Sequence, residues 1–130
     1  MLDSKLATDI LAAVDDRFGS QVAFTQDFVR FASLRGQERT CQDFVFRALK
    51  ERGLSMDRWA IDVSEIERHP GFSPVTVDYD NAINVVGTLQ PREQKGRSFI
   101  LNGHIDVVPP GPHAMWAHPP FEPWVEVGWL

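Results

Sequence analysis

The stretch Ser98-Phe-Ile-Leu-Asn-Gly-His-Ile-Asp-Val-Val-Pro109 constrains the fold of this chain more than any other. An apolar run reaches Asn-Gly, is followed by His104 and Asp106 two residues apart, and stops at proline. Phe99, Ile100 and Leu101 form a run too short for periodicity alone to separate strand from helix. The β-branched residues around it and the Gly and Pro punctuation favour a buried strand. In an extended segment, residues two apart point to the same side. His104 and Asp106 are therefore expected side by side at the carboxyl end of a strand, where open α/β sheets place their sites. A histidine that binds a metal needs a neutral ring in a fixed orientation, and a carboxylate on its other nitrogen supplies both. The pair has the form of a zinc ligand, His104, and the carboxylate that orients it, Asp106.

On its own a His-x-Asp pair is a weak signal, since many such pairs are surface or core histidines bonded to a carboxylate. The strand exit, the bare backbone of Gly103 and the stiff loop Val107-Val-Pro-Pro-Gly-Pro112 strengthen it. A catalytic zinc needs three protein ligands or more. His113 and His118 lie in a Pro/Trp loop, and their spacing from His104 fits no local zinc pattern, so loop packing or solvent is the expected fate of both. His69 beside Pro70 reads as a solvated loop histidine, and Asp78 and Asp80 as turn formers. There is no G-x-S-x-G nucleophile turn and no glycine-rich phosphate loop.

The rest of the chain reads as alternating helices and strands. Residues 3 to 17 form a helix with Leu6, Ile10, Leu11 and Val14 on one face. Phe18-Gly19-Ser20 is a break, and Ser20 caps a second helix whose Phe24, Phe28, Phe31 and Ala32 pack in the core. The clearest helix runs from about Glu38 to Arg52, with Cys41, Phe44, Val45, Ala48 and Leu49 on its apolar face and Gly53 as its stop. Trp59 to Val63 reads as an edge strand, and Ser64 to Pro74 as a polar loop. Asn84 to Leu89 is a second buried strand. Gln90 to Gly96 is a charged turn that leads into the His104 strand, as in an antiparallel hairpin or a neighbour in one sheet. Trp124 to Val127 begins a further strand. The chain ends on apolar Trp129 and Leu130, which points to truncation in preference to two residues tucked into the core.

Composition sets the class of partner. The chain has 130 residues, 43% of them hydrophobic and 24% charged, the balance of a soluble globular domain. The formal net charge of -5, with no dense Lys/Arg block, argues against nucleic acid or an anionic membrane surface. No apolar run approaches the roughly 20 residues of a membrane helix. The start Met-Leu-Asp-Ser-Lys lacks a secretory signal. The single Cys41 excludes an internal disulfide and suits a cytoplasmic setting, with the thiol a small core residue.

Leu101 to Pro109, then Trp116, Pro119-Pro120-Phe121-Glu-Pro123 and Gly128-Trp129-Leu130, closely resemble the acetylornithine deacetylase and succinyl-diaminopimelate desuccinylase family. These are zinc-dependent amidohydrolases related to carboxypeptidase G and aminoacylase. Phe28 to Glu38 is similar to the family's helix-to-loop segment, and Asn84-Val-Val-Gly87 to the strand before its metal strand. The resemblance implies an α/β fold: the N-terminal part of a zinc-exopeptidase-like three-layer domain, a mixed sheet flanked by helices, truncated. Residues 1–130 would be the N-terminal portion of the catalytic domain, without its remainder and without the dimerisation or lid domain.

The resemblance further implies two zinc ions in the complete site, with cobalt as a possible substitute. His104 matches a zinc ligand, and Asp106 the catalytic carboxylate that orients it. The family's bridging aspartate, its Glu-Glu pair with the general base, and its later ligands have no match in this chain. The implied reaction is hydrolysis of a linear amide in a small N-acyl amino acid by a homodimeric enzyme. The chain alone is expected to be inactive. The alternative is a non-catalytic fragment or interaction module that keeps the fold.

Overall fold

The computed structural model describes residues 3–126 and 128. Its elements are α1 (Ser4–Val29), α2 (Arg39–Glu51), β1 (Ser55–Ala60), α3 (Val63–Ile66) and β2 (Ile83–Thr88), followed by a 3-10 turn over His113–Met115. The class is mixed α/β, as expected, and small, which fits a truncated domain. Among the described residues the sheet consists of β1 and β2 alone. Residues 31–111 form one unit, and the described residues on either side of them form another.

In the second of these units α1 is one helix, not the two expected. The apolar positions explain why the break at Phe18-Gly19-Ser20 does not form. Leu6, Ile10, Val14, Phe18 and Val22 continue at four-residue spacing straight through it, with Gly19 beside the stripe. A glycine inside a helix costs about 1 kcal/mol relative to alanine, which weakens a helix without ending it. Asp3 caps the start by accepting the Lys5 N–H at 2.9 Å, and Lys5 pairs with Asp9 one turn on at 2.6 Å. The helix ends at Val29, so Phe31 and Ala32 fall outside it. Phe24 and Phe28 stack, ring centroids 6.3 Å apart, and both are only half-buried. Leu6, Ile10, Leu11, Val14 and Phe18 are exposed.

In the unit 31–111, α2 matches its expected bounds to within a residue. Its end follows from local chemistry. Gly53 adopts φ 83°, in the left-handed region that glycine enters without a Cβ clash. This lets the Gly53 N–H reach the Lys50 carbonyl at 2.9 Å and the Leu54 N–H reach that of Leu49 at 3.3 Å. Those two bonds are the glycine-terminated helix stop that satisfies otherwise orphaned carbonyls. The expected apolar face is covered unevenly. Cys41 and Ala48 are buried, whereas Phe44, Val45 and Leu49 are half-buried. Phe44 packs on Phe31, centroids 5.1 Å apart.

β1 and β2 run antiparallel, with Ser55 opposite Thr88 and Ala60 opposite Ile83. The strand expected at Trp59 to Val63 thus starts earlier and ends at Ala60. The expected polar loop from Ser64 begins with the single turn α3 instead, capped by Asp62. The Ser64 hydroxyl (2.6 Å) and N–H (2.9 Å) both donate to the Asp62 carboxylate and hold its carboxyl below its ordinary pKa. Alternation puts Met56, Arg58, Ala60, Ile83, Val85 and Gly87 on one face of the ribbon. α2 packs there. Ile83 is buried on this face, and Arg58 pairs with Asp43 of α2 at 2.5 Å. Gly87 is a close-approach glycine: a Cβ there would lie 2.8 Å from the Leu54 Cδ2 atom. On the opposite face Trp59 and Val86 are exposed.

The segment that was expected to be the central strand differs most. Phe99, Ile100 and Leu101 are in no strand and are 82%, 85% and 86% exposed. A strand exists only through a hydrogen-bonded neighbour, and β2 takes β1 as its partner, not this segment. Only Val107 is joined, by a parallel bridge to Leu34. The strand expected at Trp124 to Val127 is not formed at Trp124 and Val125, and Val127, Trp129 and Leu130 lie outside the described residues.

Candidate metal-ligand site

The spacing argument for His104 and Asp106 holds locally although the surrounding strand does not. The Nδ1 atom of His104 lies 3.0 Å from the Asp106 Oδ1 atom and 3.1 Å from the Asp106 backbone carbonyl oxygen. A carboxylate and a carbonyl can only accept. Nδ1 therefore carries the ring proton in the neutral imidazole, and Nε2 keeps its lone pair. The histidine side chain is 83% exposed, so the ring edge bearing that lone pair is accessible. The ion-pair geometry adds little stability at such exposure. Its consequence is orientation, with one tautomer and one ring direction fixed by two acceptors from the same residue.

The backbone of this segment is held by a residue far away in sequence. Ser33 is 4% exposed, and its hydroxyl donates to the Ile105 carbonyl at 2.5 Å. The Ser33 carbonyl in turn accepts the Val107 N–H at 3.0 Å. His104 and Asp106 line a cleft of about 480 Å³ that Arg35, Glu38, Tyr79 and Asn84 also line. Glu38 accepts the Gly36 N–H through Oε1 at 3.0 Å. Its Oε2 atom is buried and has no hydrogen-bond partner among the described residues. The loops that carry these residues are tied together. Arg39 donates to the Asn81 side chain at 3.2 Å and to the Asp80 carbonyl at 3.3 Å, and Asn81 donates to the Gly36 carbonyl at 3.3 Å. Neither Ser33, Arg35 nor Glu38 stands out in the sequence as a site residue. The only available signal was their common place in the loop that leads into α2.

The other histidines take the local roles expected of them. His69 accepts the Gly71 N–H at 3.1 Å in its loop. His118 stacks on Trp124, centroids 4.3 Å apart, and His113 begins the 3-10 turn. Asp78 is a turn former that accepts the Asp80 N–H at 2.7 Å. Among the described residues no group of three or more His, Cys, Asp or Glu side chains is placed to hold a metal ion. The donor chemistry of His104 and Asp106 thus fits one ligand position of a zinc centre, not a whole centre. No helix among the described residues is long and apolar enough to cross a membrane.

Cys41 is 1% exposed, and burial pushes its thiol pKa above the ordinary value, with the nearby Ser33 side chain acting in the opposite direction. A thiol reagent at about pH 8 should leave the native protein unlabelled and react only as denaturant unfolds it. The sign of the pH effect follows. A folded-state thiol pKa above the unfolded one stabilises the fold below the unfolded value, about 8.5. That stabilisation is lost as pH rises through the folded value, so the denaturation midpoint should fall on the alkaline side. A Cys41→Ser variant should lack that dependence.

No protein-family model matches the chain. Individual relatives do. Over 110 residues the chain is 34% identical to the succinyl-diaminopimelate desuccinylase of Methylobacterium nodulans, covering 84% of this chain and 24% of that protein. The enzyme of the same name from Alkalilimnicola ehrlichii is 46% identical over 68 residues, 52% of this chain and 17% of the relative. That from Paracoccus denitrificans is 54% identical over 60 residues, 46% of this chain and 15% of the relative. The chain therefore spans about a quarter, or less, of the length of these curated relatives. It is similar to a part of succinyl-diaminopimelate desuccinylases, which fits the resemblance to the N-terminal part of that family.

Proposed function

We propose that this chain is the N-terminal portion of a metal-dependent amidohydrolase that removes the acyl group from a small N-acyl amino acid. The observation that carries the reading is the His104–Asp106 pair, with Nδ1 bound to two acceptors and the Nε2 lone pair exposed. The similarity to desuccinylases supports the deacylase class. In this reading His104 supplies one zinc ligand through Nε2. Asp106 accepts from Nδ1 and so fixes the direction of the ring and leaves Nε2 as the ligand atom. When bound, zinc supplies a Lewis acid for the amide carbonyl and lowers the pKa of water. The remaining ligands, the general base and the contacts that make a homodimer come from the rest of the enzyme. We place the acyl amino acid in the cleft beside His104.

The test compares the 130-residue chain with the complete reading frame on a panel of N-acyl amino acids, with zinc or cobalt added. The complete protein should hydrolyse at least one of them in a metal-dependent way, and the chain alone should not. General-base catalysis contributes roughly 10²–10⁴-fold, and no residue here matches the family's base. Hydrolysis by the chain alone, abolished by His104→Ala, would show that it carries a complete site. Absence of any metal-dependent hydrolysis by the complete protein would overturn the reading.

A further inference from the structure

We infer that Ser33 is a positioning residue for His104, acting through the backbone on both sides of Asp106. The inference rests on the reading of His104 as a metal ligand and adds a residue to it. The Ser33 hydroxyl donates to the Ile105 carbonyl at 2.5 Å, and the Ser33 carbonyl accepts the Val107 N–H at 3.0 Å. These two bonds bracket Asp106, whose carboxylate and carbonyl are the two acceptors facing His104 Nδ1. One residue thus fixes the peptide groups before and after the group that orients the imidazole.

The surroundings make this clamp consequential. Phe99 to Asp106 lie in no strand, so no ladder holds them. The one bridge in the segment, at Val107, goes to Leu34, the neighbour of Ser33. Ser33 itself is anchored. It is 4% exposed, and its N–H donates at 2.8 Å to the carbonyl of Phe31, whose ring packs on Phe44 of α2. The sequence of contacts runs from Phe44 of α2 through Phe31 and Ser33 to Ile105, and through Asp106 to the ring of His104. A side chain that must hold a metal needs its orientation kept within about 0.5 Å and 10–20°, which packing and hydrogen bonds behind it provide.

The experiment uses the complete protein and compares Ser33→Ala with Ser33→Thr, which keeps the hydroxyl. Two metal-free readouts come first: hydrogen exchange at the Val107 amide, and the His104 ring nitrogens by NMR, which report the tautomer. Ser33→Ala removes the bond to Ile105 and keeps the backbone bond to Val107, and the local loss of about one net hydrogen bond should speed opening and hence Val107 exchange by up to about 10-fold. It should also remove the preference for a proton on Nδ1. With cobalt added, affinity should fall by about 10–100-fold, the range for losing a group that orients a ligand, and the cobalt absorption bands should change shape. Ser33→Thr should restore all of these towards the parent.

If Ser33→Ala keeps the tautomer, the Val107 protection and the cobalt affinity, the inference is overturned. It is overturned equally if exchange accelerates to the same extent across β1 and β2, since the role would then be structural only. Should the alanine variant fail to fold, Ser33→Cys, close in size and a weaker donor, decides by the same readouts. A complete protein whose cobalt binding ignores His104→Ala refutes the ligand reading itself, and the metal-free readouts still decide whether Ser33 sets the His104 ring.

Discussion

Replacing His104 by alanine in the complete protein should, on the proposed amidohydrolase reading, lower metal-dependent hydrolysis by about 10³-fold or more, with the fold intact. The magnitude follows from the role proposed for His104 as a metal ligand. A bound zinc is worth several kcal/mol of transition-state stabilisation, and about 4 kcal/mol corresponds to nearly 10³-fold in rate. The fold should survive because the imidazole is 83% exposed and its one pairing partner is also partly in solvent. An exposed pair contributes about 0–1 kcal/mol to stability. Asp106→Ala should act more weakly, by about 10–100-fold, because it removes the group that orients the ligand and leaves the ligand in place. Steady-state kinetics with saturating zinc, together with the chemical denaturation curve of each variant, check both effects. A His104→Ala variant that keeps full activity would remove the residue from the site. A loss of activity matched by loss of the folded state would assign the effect to stability.

The ordering of these two variants separates the ligand from its support. If His104 were only a surface histidine satisfied by a carboxylate, neither change would alter the metal dependence of the rate. If Asp106 rather than His104 were the ligand, the larger loss would move to the aspartate. The geometry favours the histidine. Asp106 spends one carboxylate oxygen on Nδ1, whereas Nε2 has no bond to any described residue.

What could be read in the sequence was what is encoded locally. The two-residue spacing of His104 and Asp106 suffices to bring them together in any extended backbone, with or without a ladder. The bounds of α2 were legible because an apolar stripe of helical period ends at a glycine, and both the period and the stop are short-range properties. The burial of Cys41 and Ala48 came with them. The failures lie where the partner is distant or a weak local signal was overridden. Gly19 looked like a break, but the stripe through Phe18 and Val22 keeps its phase across it. The strand at Asn84 was legible, but not its burial, since Val86 and Leu89 are exposed, nor its pairing with Ser55–Ala60 in place of the segment after it. Pairing depends on which neighbour is free, a property of the whole fold. Phe99 to Leu101 show the same limit, since apolar β-formers without a ladder partner among the described residues remain an exposed segment outside any strand. Ser33 was invisible for another reason. It acts on a backbone carbonyl 72 residues away, and no side-chain pattern marks a carbonyl.

Ile83→Ala should destabilise the fold by about 2–5 kcal/mol, the range for removing a buried aliphatic side chain and leaving a cavity. Ile83 is 6% exposed at the start of β2. It lies opposite Ala60, on the face of the ribbon that α2 covers. Among the described residues only Cys41 and Ala48 join it as buried hydrophobic groups, and both are small. Neither can lean far into a vacated space, so collapse of the cavity should be limited and the cost should not fall at the low end. Ordinary domains are stable by only about 5–15 kcal/mol, so the loss is a large fraction of the whole. Phe44→Ala serves as the comparison. Complete burial would put its cost at about 3–5 kcal/mol. Phe44 is only half-buried, with one face on the Phe31 ring, and the same truncation should cost less than that range. Urea denaturation of the complete protein, read by the fluorescence of its tryptophans, gives both numbers. A larger loss at Phe44 than at Ile83 would mean that the core is centred on the aromatic pair, and that the contact of α2 with β2 is secondary.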